Sequence, residues 1–193
     1  MIGNKIGRRL DPYIRYAIEK TLGGHGNPNL FTLMGLGATL LASFLIVKGF
    51  WFLAGLGIIV SGLFDLFDGV VARNLGKVTR FGGFLDSVVD RYSDLALLLA
   101  VLIYYLNNDN SAYVILASFA SMGTALIPYA RARAEAAHIQ CSAGLMERAE
   151  RMILLSAGLL LHCLKPVLWT FAILTHFTVL ERIYHVYRQL RKE

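Results

Sequence analysis

With 193 residues, 56% hydrophobic content, 17% charged residues and a mean hydropathy of +0.55, the chain is too apolar for an ordinary soluble domain and too short for two membrane domains. Its net charge of +6 is spread between apolar segments and forms no soluble basic patch, so anionic lipid and phosphorylated molecules are expected as partners and nucleic acid is not. The two cysteines, Cys141 and Cys163, are expected on opposite sides of a membrane, which excludes a disulfide or zinc framework.

Residues 1–22 place Ile6, Leu10, Tyr13, Ile14, Ala17 and Ile18 near helical period among basic residues, which predicts an amphipathic helix lying in the membrane interface. It has neither an uninterrupted apolar core nor a small-residue cleavage site, so it does not read as a cleaved signal. Gly23-Gly24-His25-Gly26-Asn27-Pro28 breaks that helix, and Asn29 is placed to cap the next one. Apolar stretches matched to a hydrocarbon core ~30 Å thick follow at about residues 30–49, 50–72, 84–106, 111–130, 146–164 and 166–187. The expected fold is an all-α integral membrane protein: the interfacial helix over residues 1–22, then six transmembrane helices in one domain over residues 23–193. Gly35, Gly37, Gly55, Gly57, Gly62 and Gly123 offer small faces for close helix packing. Six spans put both termini on one side. All of the 19 Lys and Arg residues except Lys48 and Lys165 fall on that side, which the positive-inside rule makes cytoplasmic.

The second and third apolar segments carry Asp65-Leu-Phe-Asp68-Gly69-Val-Val-Ala72-Arg73 and Gly82-Gly-Phe-Leu-Asp86-Ser-Val-Val-Asp90. Charge at membrane depth costs free energy, so clustered acids there mark a functional site. At about 100° per residue, Asp65, Asp68 and Ala72 share one helix face, and Asp86 and Asp90 share another. The short linker from Asn74 to Phe81 predicts antiparallel helices whose acidic faces meet near one membrane surface, a geometry suited to a metal cage. An oxygen-only donor set suits magnesium or manganese; zinc would recruit His or Cys, and the five histidines are dispersed. Such a cation neutralises a diphosphate so that a nucleophile can approach. The competing explanation is a buried ionic network of the acids with Arg73, Arg80 and Arg91.

The pattern D-x2-D-G-x2-A-R-x8-G-x3-D-x3-D, with every specified position filled, resembles the signature of the CDP-alcohol phosphatidyltransferases, membrane enzymes that make phospholipid head groups. The resemblance implies an enzyme that displaces CMP from a CDP-linked lipid, either CDP-diacylglycerol or an ether analogue. It further implies that Asp65, Asp68 and Asp86 bind Mg2+ or Mn2+, and that Asp90 completes the metal site and acts as general base. Asp65, Asp68, Gly69, Ala72, Arg73 and Gly82 would bind the CDP moiety, with Asp94 supporting the carboxylates from one turn further along. A homodimer with its active site facing the cytosol is implied as well.

Further along, Pro128-Tyr-Ala-Arg131-Ala-Arg133-Ala-Glu135 and Gly144-Leu-Met-Glu147-Arg148-Ala-Glu150-Arg151 resemble the phosphatidylinositol-phosphate synthase branch. Arginines near one cavity argue for a phosphorylated polyol as acceptor, inositol phosphate first. Arg131, Arg148 and Arg151 are the acceptor-binding candidates; Arg133, two positions on from Arg131, points elsewhere and supports structure or the nucleotide side. Pro128 stands where that branch commonly has a serine, which leaves glycerol 3-phosphate as the alternative acceptor. A cation carrier would distribute charge across the bilayer, and an inactive scaffold would have lost carboxylates; neither pattern is present.

Overall fold

Pro28 sits at the first helical position, where its missing N–H is no loss, and the Asn27 side chain accepts a hydrogen bond from the Asn29 N–H at 3.1 Å. The cap of helix α1 (Pro28–Val47) is therefore Asn27, two residues before the Asn29 expected from sequence. A computed structural model describes residues 27–141 and 144–191, so the interfacial helix expected over residues 1–22 lies outside the described residues. Five more helices follow: α2 (Trp51–Asn74), α3 (Arg80–Asn107), α4 (Ser111–Ala136), α5 (Arg148–Leu160) and α6 (Leu164–Leu190). The Thr79 hydroxyl caps α3 by accepting from the Gly82 N–H at 2.9 Å.

The helices pack in a closed ring, α1 to α2, α5, α6, α4, α3 and back to α1. Its middle is filled by Leu97, Leu98 and Val101 of α3, Leu155 and Leu159 of α5, and Leu168 and Phe171 of α6. Helices α2 and α3 are sequence neighbours, yet α1 lies between them. That insertion rests on small and hydroxyl residues: Thr39 and Ser61 share a hydrogen bond of 2.7 Å, and the Ser61 hydroxyl donates to the Gly35 carbonyl at 2.9 Å. Gly57 packs against Ala42, and Gly55 and Gly123 lie at close helix contacts, whereas a side chain on Gly37 or Gly62 would meet open space.

The expectation of six transmembrane helices is not met. The described residues form an all-α bundle of six helices, of which three, Pro28–Val47, Trp51–Asn74 and Ser111–Ala136, are long and apolar enough to cross a membrane. Helix α5 has 13 residues, which at 1.5 Å per residue span ~20 Å of a ~30 Å core. In α3 the charges of Arg80, Asp86, Asp90, Arg91 and Asp94 make residues 95–107 the longest uncharged run, and in α6 the longest such run lies between Lys165 and Glu181. Counting apolar stretches ran through turns and charges that the helices divide. Large apolar side chains, among them Leu41, Phe44, Ile115, Ile173 and Leu180, cover the outer faces of the bundle.

Candidate active site

One end of the ring collects the C-terminal part of α2, the first turns of α3 and α5, and the start of α1. Asp68 is buried, and the Thr32 hydroxyl of α1 donates to its Oδ2 at 2.7 Å. Asp65, one helical turn earlier, lies against α1 at Gly35, where a Cβ would stand 3.1 Å from Asp65 Oδ1. At the start of α3 a Cβ on Gly82 would stand 3.4 Å from Asn29 Oδ1, so α1 holds both signature segments at its own first turns. Gly69 lies beneath Arg73, with the guanidinium 3.1 Å from where a Cβ would be, and Ala72 is half-buried on the same helix. Thr32 escaped the sequence reading and Gly35 was read there as a packing face without its place beside Asp65, although Thr32, Gly35 and Thr39 form a buried small-residue stripe at helical spacing.

Across the ring, α5 supplies the cations. Arg148 Nη1 donates to Asp65 Oδ2 and lies 2.6 Å from Asp90 Oδ1, with Nε 4.0 Å from Asp94 Oδ1. The Asp90 contact lacks hydrogen-bond alignment, which leaves Asp90 Oδ1 ion-paired without a hydrogen bond, and Arg148 Nε and Nη2 are also buried without a hydrogen-bond partner. Arg151, 5% exposed, donates through Nη2 to Asp94 Oδ2 at 2.5 Å and through Nη1 to the Met146 carbonyl at 2.7 Å. Arg91 donates to the Ser87 carbonyl at 2.9 Å and reaches Asp90 at 3.4 Å. Asp86 is half-buried, and its charge repels those of Asp65, Asp68 and Asp90 while Arg148 and Arg91 attract it.

The structure thus brings Asp65, Asp86, Asp90, Asp94, Arg148 and Arg151 together, with Asp68 beside them. Arg131 and Arg133 on α4 are exposed, and Arg131 is paired along its own helix with Glu135 at 2.8 Å. Of the arginines weighed as ionic partners for the acids, Arg91 contacts Asp90; the deeper pairs come from α5.

The profile described as CDP-alcohol phosphatidyltransferase matches residues 26–180, which include all of these elements up to the middle of α6. The chain belongs to the CDP-alcohol phosphatidyltransferase family. It is 34% identical over 187 residues to the archaetidylinositol phosphate synthase of Pyrococcus horikoshii, covering 94% of this chain and 97% of the relative. Among solved structures, the fold matches Mycobacterium tuberculosis phosphatidylinositol phosphate synthase with CDP-DAG bound, at a TM-score of 0.82 and 28% identity over 93% of this chain and 94% of that one. The same mycobacterial enzyme in complex with manganese and citrate matches at a TM-score of 0.80 and 26% identity, covering 96% and 88%.

Within this CDP-alcohol phosphatidyltransferase the donor chemistry fits a hard divalent cation. Five carboxylates face Arg91, Arg148 and Arg151 at the site, an excess of negative charge, and every candidate ligand is a carboxylate oxygen. Among the described residues no three acidic, imidazole or thiol groups share a ligating point as they stand, because the Arg148 guanidinium lies between Asp65 and Asp90.

Proposed function

We propose that this enzyme transfers a phosphatidyl-type group from a CDP-linked lipid to a phosphorylated polyol, with inositol phosphate as the preferred acceptor, releasing CMP. The carrying observation is the convergence of the signature carboxylates with Arg148 and Arg151 at one end of the bundle. An acceptor hydroxyl oxygen attacks the lipid-side phosphorus, the bond from that phosphorus to the CMP oxygen breaks, and the hydroxyl proton passes to Asp90. Asp90 suits that task because its buried Oδ1 makes no aligned hydrogen bond, its contact with Arg148 being an ion pair alone. Asp65, Asp68, Asp86 and Asp90 would hold Mg2+ or Mn2+, which when bound supplies charge neutralisation of the diphosphate. Gly69, Ala72, Arg73 and Gly82 bind the CDP moiety alongside Asp65 and Asp68, the two glycines leaving room for close approach.

The unused N–H groups on Arg148 and Arg151 favour a phosphorylated acceptor over a free alcohol. Arg131 adds acceptor charge from the exposed end of α4, while Asp94 holds Arg151 in place and Arg133 supports the nucleotide side. Basic residues gather at the carboxylate end and Lys48 and Lys165 stand at the other, which supports a cytoplasmic active site. The enzyme acts as a homodimer in the membrane.

The test is CMP release from CDP-diacylglycerol by the purified protein across a panel of acceptors, with and without chelator. Activity that needs Mg2+ or Mn2+ and prefers inositol phosphate in direct competition with glycerol 3-phosphate is expected. No release with any acceptor overturns the reading; a clear preference for glycerol 3-phosphate or unphosphorylated inositol overturns the acceptor alone.

A further inference from the structure

Where α3, α4, α5 and α6 meet, just inside the charged end, lies an internal cavity of about 10 Å³. Its polar walls are Asp94, Thr124 and Arg151, which are 7%, 2% and 5% exposed, and its apolar walls include Leu98, Leu155 and Phe171. Two of the polar walls carry unsatisfied atoms: Thr124 Oγ1 and Arg151 Nε are buried and make no hydrogen bond. A helical serine or threonine readily settles its hydroxyl on the carbonyl one turn earlier. Ser118 and Ser121 of α4 do so, at 2.9 and 2.8 Å, and Thr124 of the same helix does not. Arg151 is held at its other two nitrogens, by Asp94 at Nη2 and by the Met146 carbonyl at Nη1.

Size and charge together name the occupant. The volume suits a single water, which needs about 10 to 15 Å³ of such space and two to four polar partners. A cation would meet the Arg151 guanidinium and an anion the Asp94 carboxylate, whereas a small neutral molecule that both donates and accepts serves all three side chains. We propose that this cavity binds one water, which accepts from Arg151 Nε–H, bonds to the Thr124 hydroxyl and donates to the Asp94 carboxylate, and that Thr124 is thereby a positioning residue for Arg151. The guanidinium is then fixed from α3, from α4 and from the segment before α5 at once, which sets the direction of its remaining N–H groups. The positioning role rests on the proposed contact of Arg151 with the acceptor; the water site does not.

The site is tested by a crystal structure of the whole enzyme at a resolution that orders internal water, and the role by KM for each substrate in Thr124→Val, Thr124→Ala and Thr124→Ser. One density peak is expected within about 2.7 to 3.2 Å of both Thr124 Oγ1 and Arg151 Nε. Thr124→Val keeps the volume and puts a methyl where the hydroxyl was, so the acceptor KM should rise about tenfold with the CDP-lipid KM within about twofold. Thr124→Ala leaves room for a second water in place of the hydroxyl and should raise the acceptor KM only about threefold, while Thr124→Ser stays within about twofold. A packing role predicts the reverse order, with Ala worse than Val, and that order overturns the positioning role, as do equal rises in both KM values. A map in which the cavity is dry, or in which the Thr124 hydroxyl is turned onto the Ala120 carbonyl, overturns the site and the role together. Should Thr124→Val fail to fold, an acceptor KM raised in Thr124→Ala but not in Thr124→Ser supports the role, and equal values in those two overturn it. A wild-type protein that holds the water and releases no CMP with any acceptor overturns the transferase reading and leaves the water site standing.

Discussion

At one end of the bundle Asp65, Asp68, Asp86, Asp90 and Asp94 face Arg148 and Arg151 across the ring, whereas at the other end Trp51, Tyr104, Tyr105, Tyr113 and His162 pack ring against ring. The aromatic contacts join α2, α3, α4 and the turn after α5, with centroids 4.9 to 5.7 Å apart, and Lys165 lies over the Tyr113 ring at 5.4 Å. That end is held by dispersion and weak quadrupole contacts between rings, with one cation over a ring face. At the charged end five aspartates cluster with Arg91, Arg148 and Arg151, and Arg148 and Arg151 keep buried nitrogens that make no hydrogen bond. The charged end thus keeps unmet capacity for a cation and for phosphate that ring packing at the other end does not offer.

The largest effect separating the two ends is expected from Asp65→Asn, Asp68→Asn or Asp86→Asn. Each keeps shape and removes charge, so activity should fall at least ~100-fold, about 2.7 kcal/mol in the barrier, with little change in melting temperature. Near wild-type turnover in any two of them would refute the cation site. Asp90→Asn should lose turnover as severely yet retain CMP and Mn2+ binding, measured by calorimetry and electron paramagnetic resonance; lost nucleotide binding reassigns it from base to ligand. Next comes Asp94→Ala, which leaves Arg151 buried and unpaired. It should destabilise the protein by about 3 to 5 kcal/mol, and the double variant Asp94→Leu/Arg151→Met should recover much of that in thermal melts but not the acceptor KM.

Arg148→Gln sharpens the contrast by acting on binding. Losing one charge-assisted contact to the acceptor phosphate should raise the acceptor KM by the equivalent of about 1.5 to 3 kcal/mol, with CDP-lipid affinity nearly unchanged in steady-state assays. The smallest effect belongs to the aromatic end: Trp51→Leu removes ring contacts worth about 0.5 to 1.5 kcal/mol, lowering the melting temperature slightly while both KM values hold. A substrate-specific change there would erase the distinction between the ends.

The signature aspartates were readable because their spacing is a local property of two helices, and helical geometry alone puts Asp65 with Asp68 and Asp86 with Asp90. Their partners were harder to place. Arg148 meets Asp65 across 83 residues of sequence, and the Thr32 to Asp68 bond depends on α1 entering between α2 and α3, which no linker length specifies. The span count failed for a different reason: hydropathy sums over windows, while Glu147 and the turn after Leu160 cut α5 to a short helix within an apolar stretch. The Asn27 cap was legible in principle, since Pro28 favours the first helical position and so points to the residue before it. Arg131 was grouped with Arg148 and Arg151 on the resemblance of their two segments to one family branch, which carries no information about its pairing with Glu135 on an exposed helix end.

Helices α3 and α5 are not neighbours in the ring, and among the described residues they meet at the charged end through side chains. Leu97 and Leu98 of α3 and Leu155 of α5 fill the middle of the ring, and at the charged end beyond them Arg148 and Arg151 bridge the two helices. Side-chain rotation is far faster than helix displacement, so the contact between Asp90 and Arg148 can be broken and remade by swinging one guanidinium, on a timescale that helix movement cannot match.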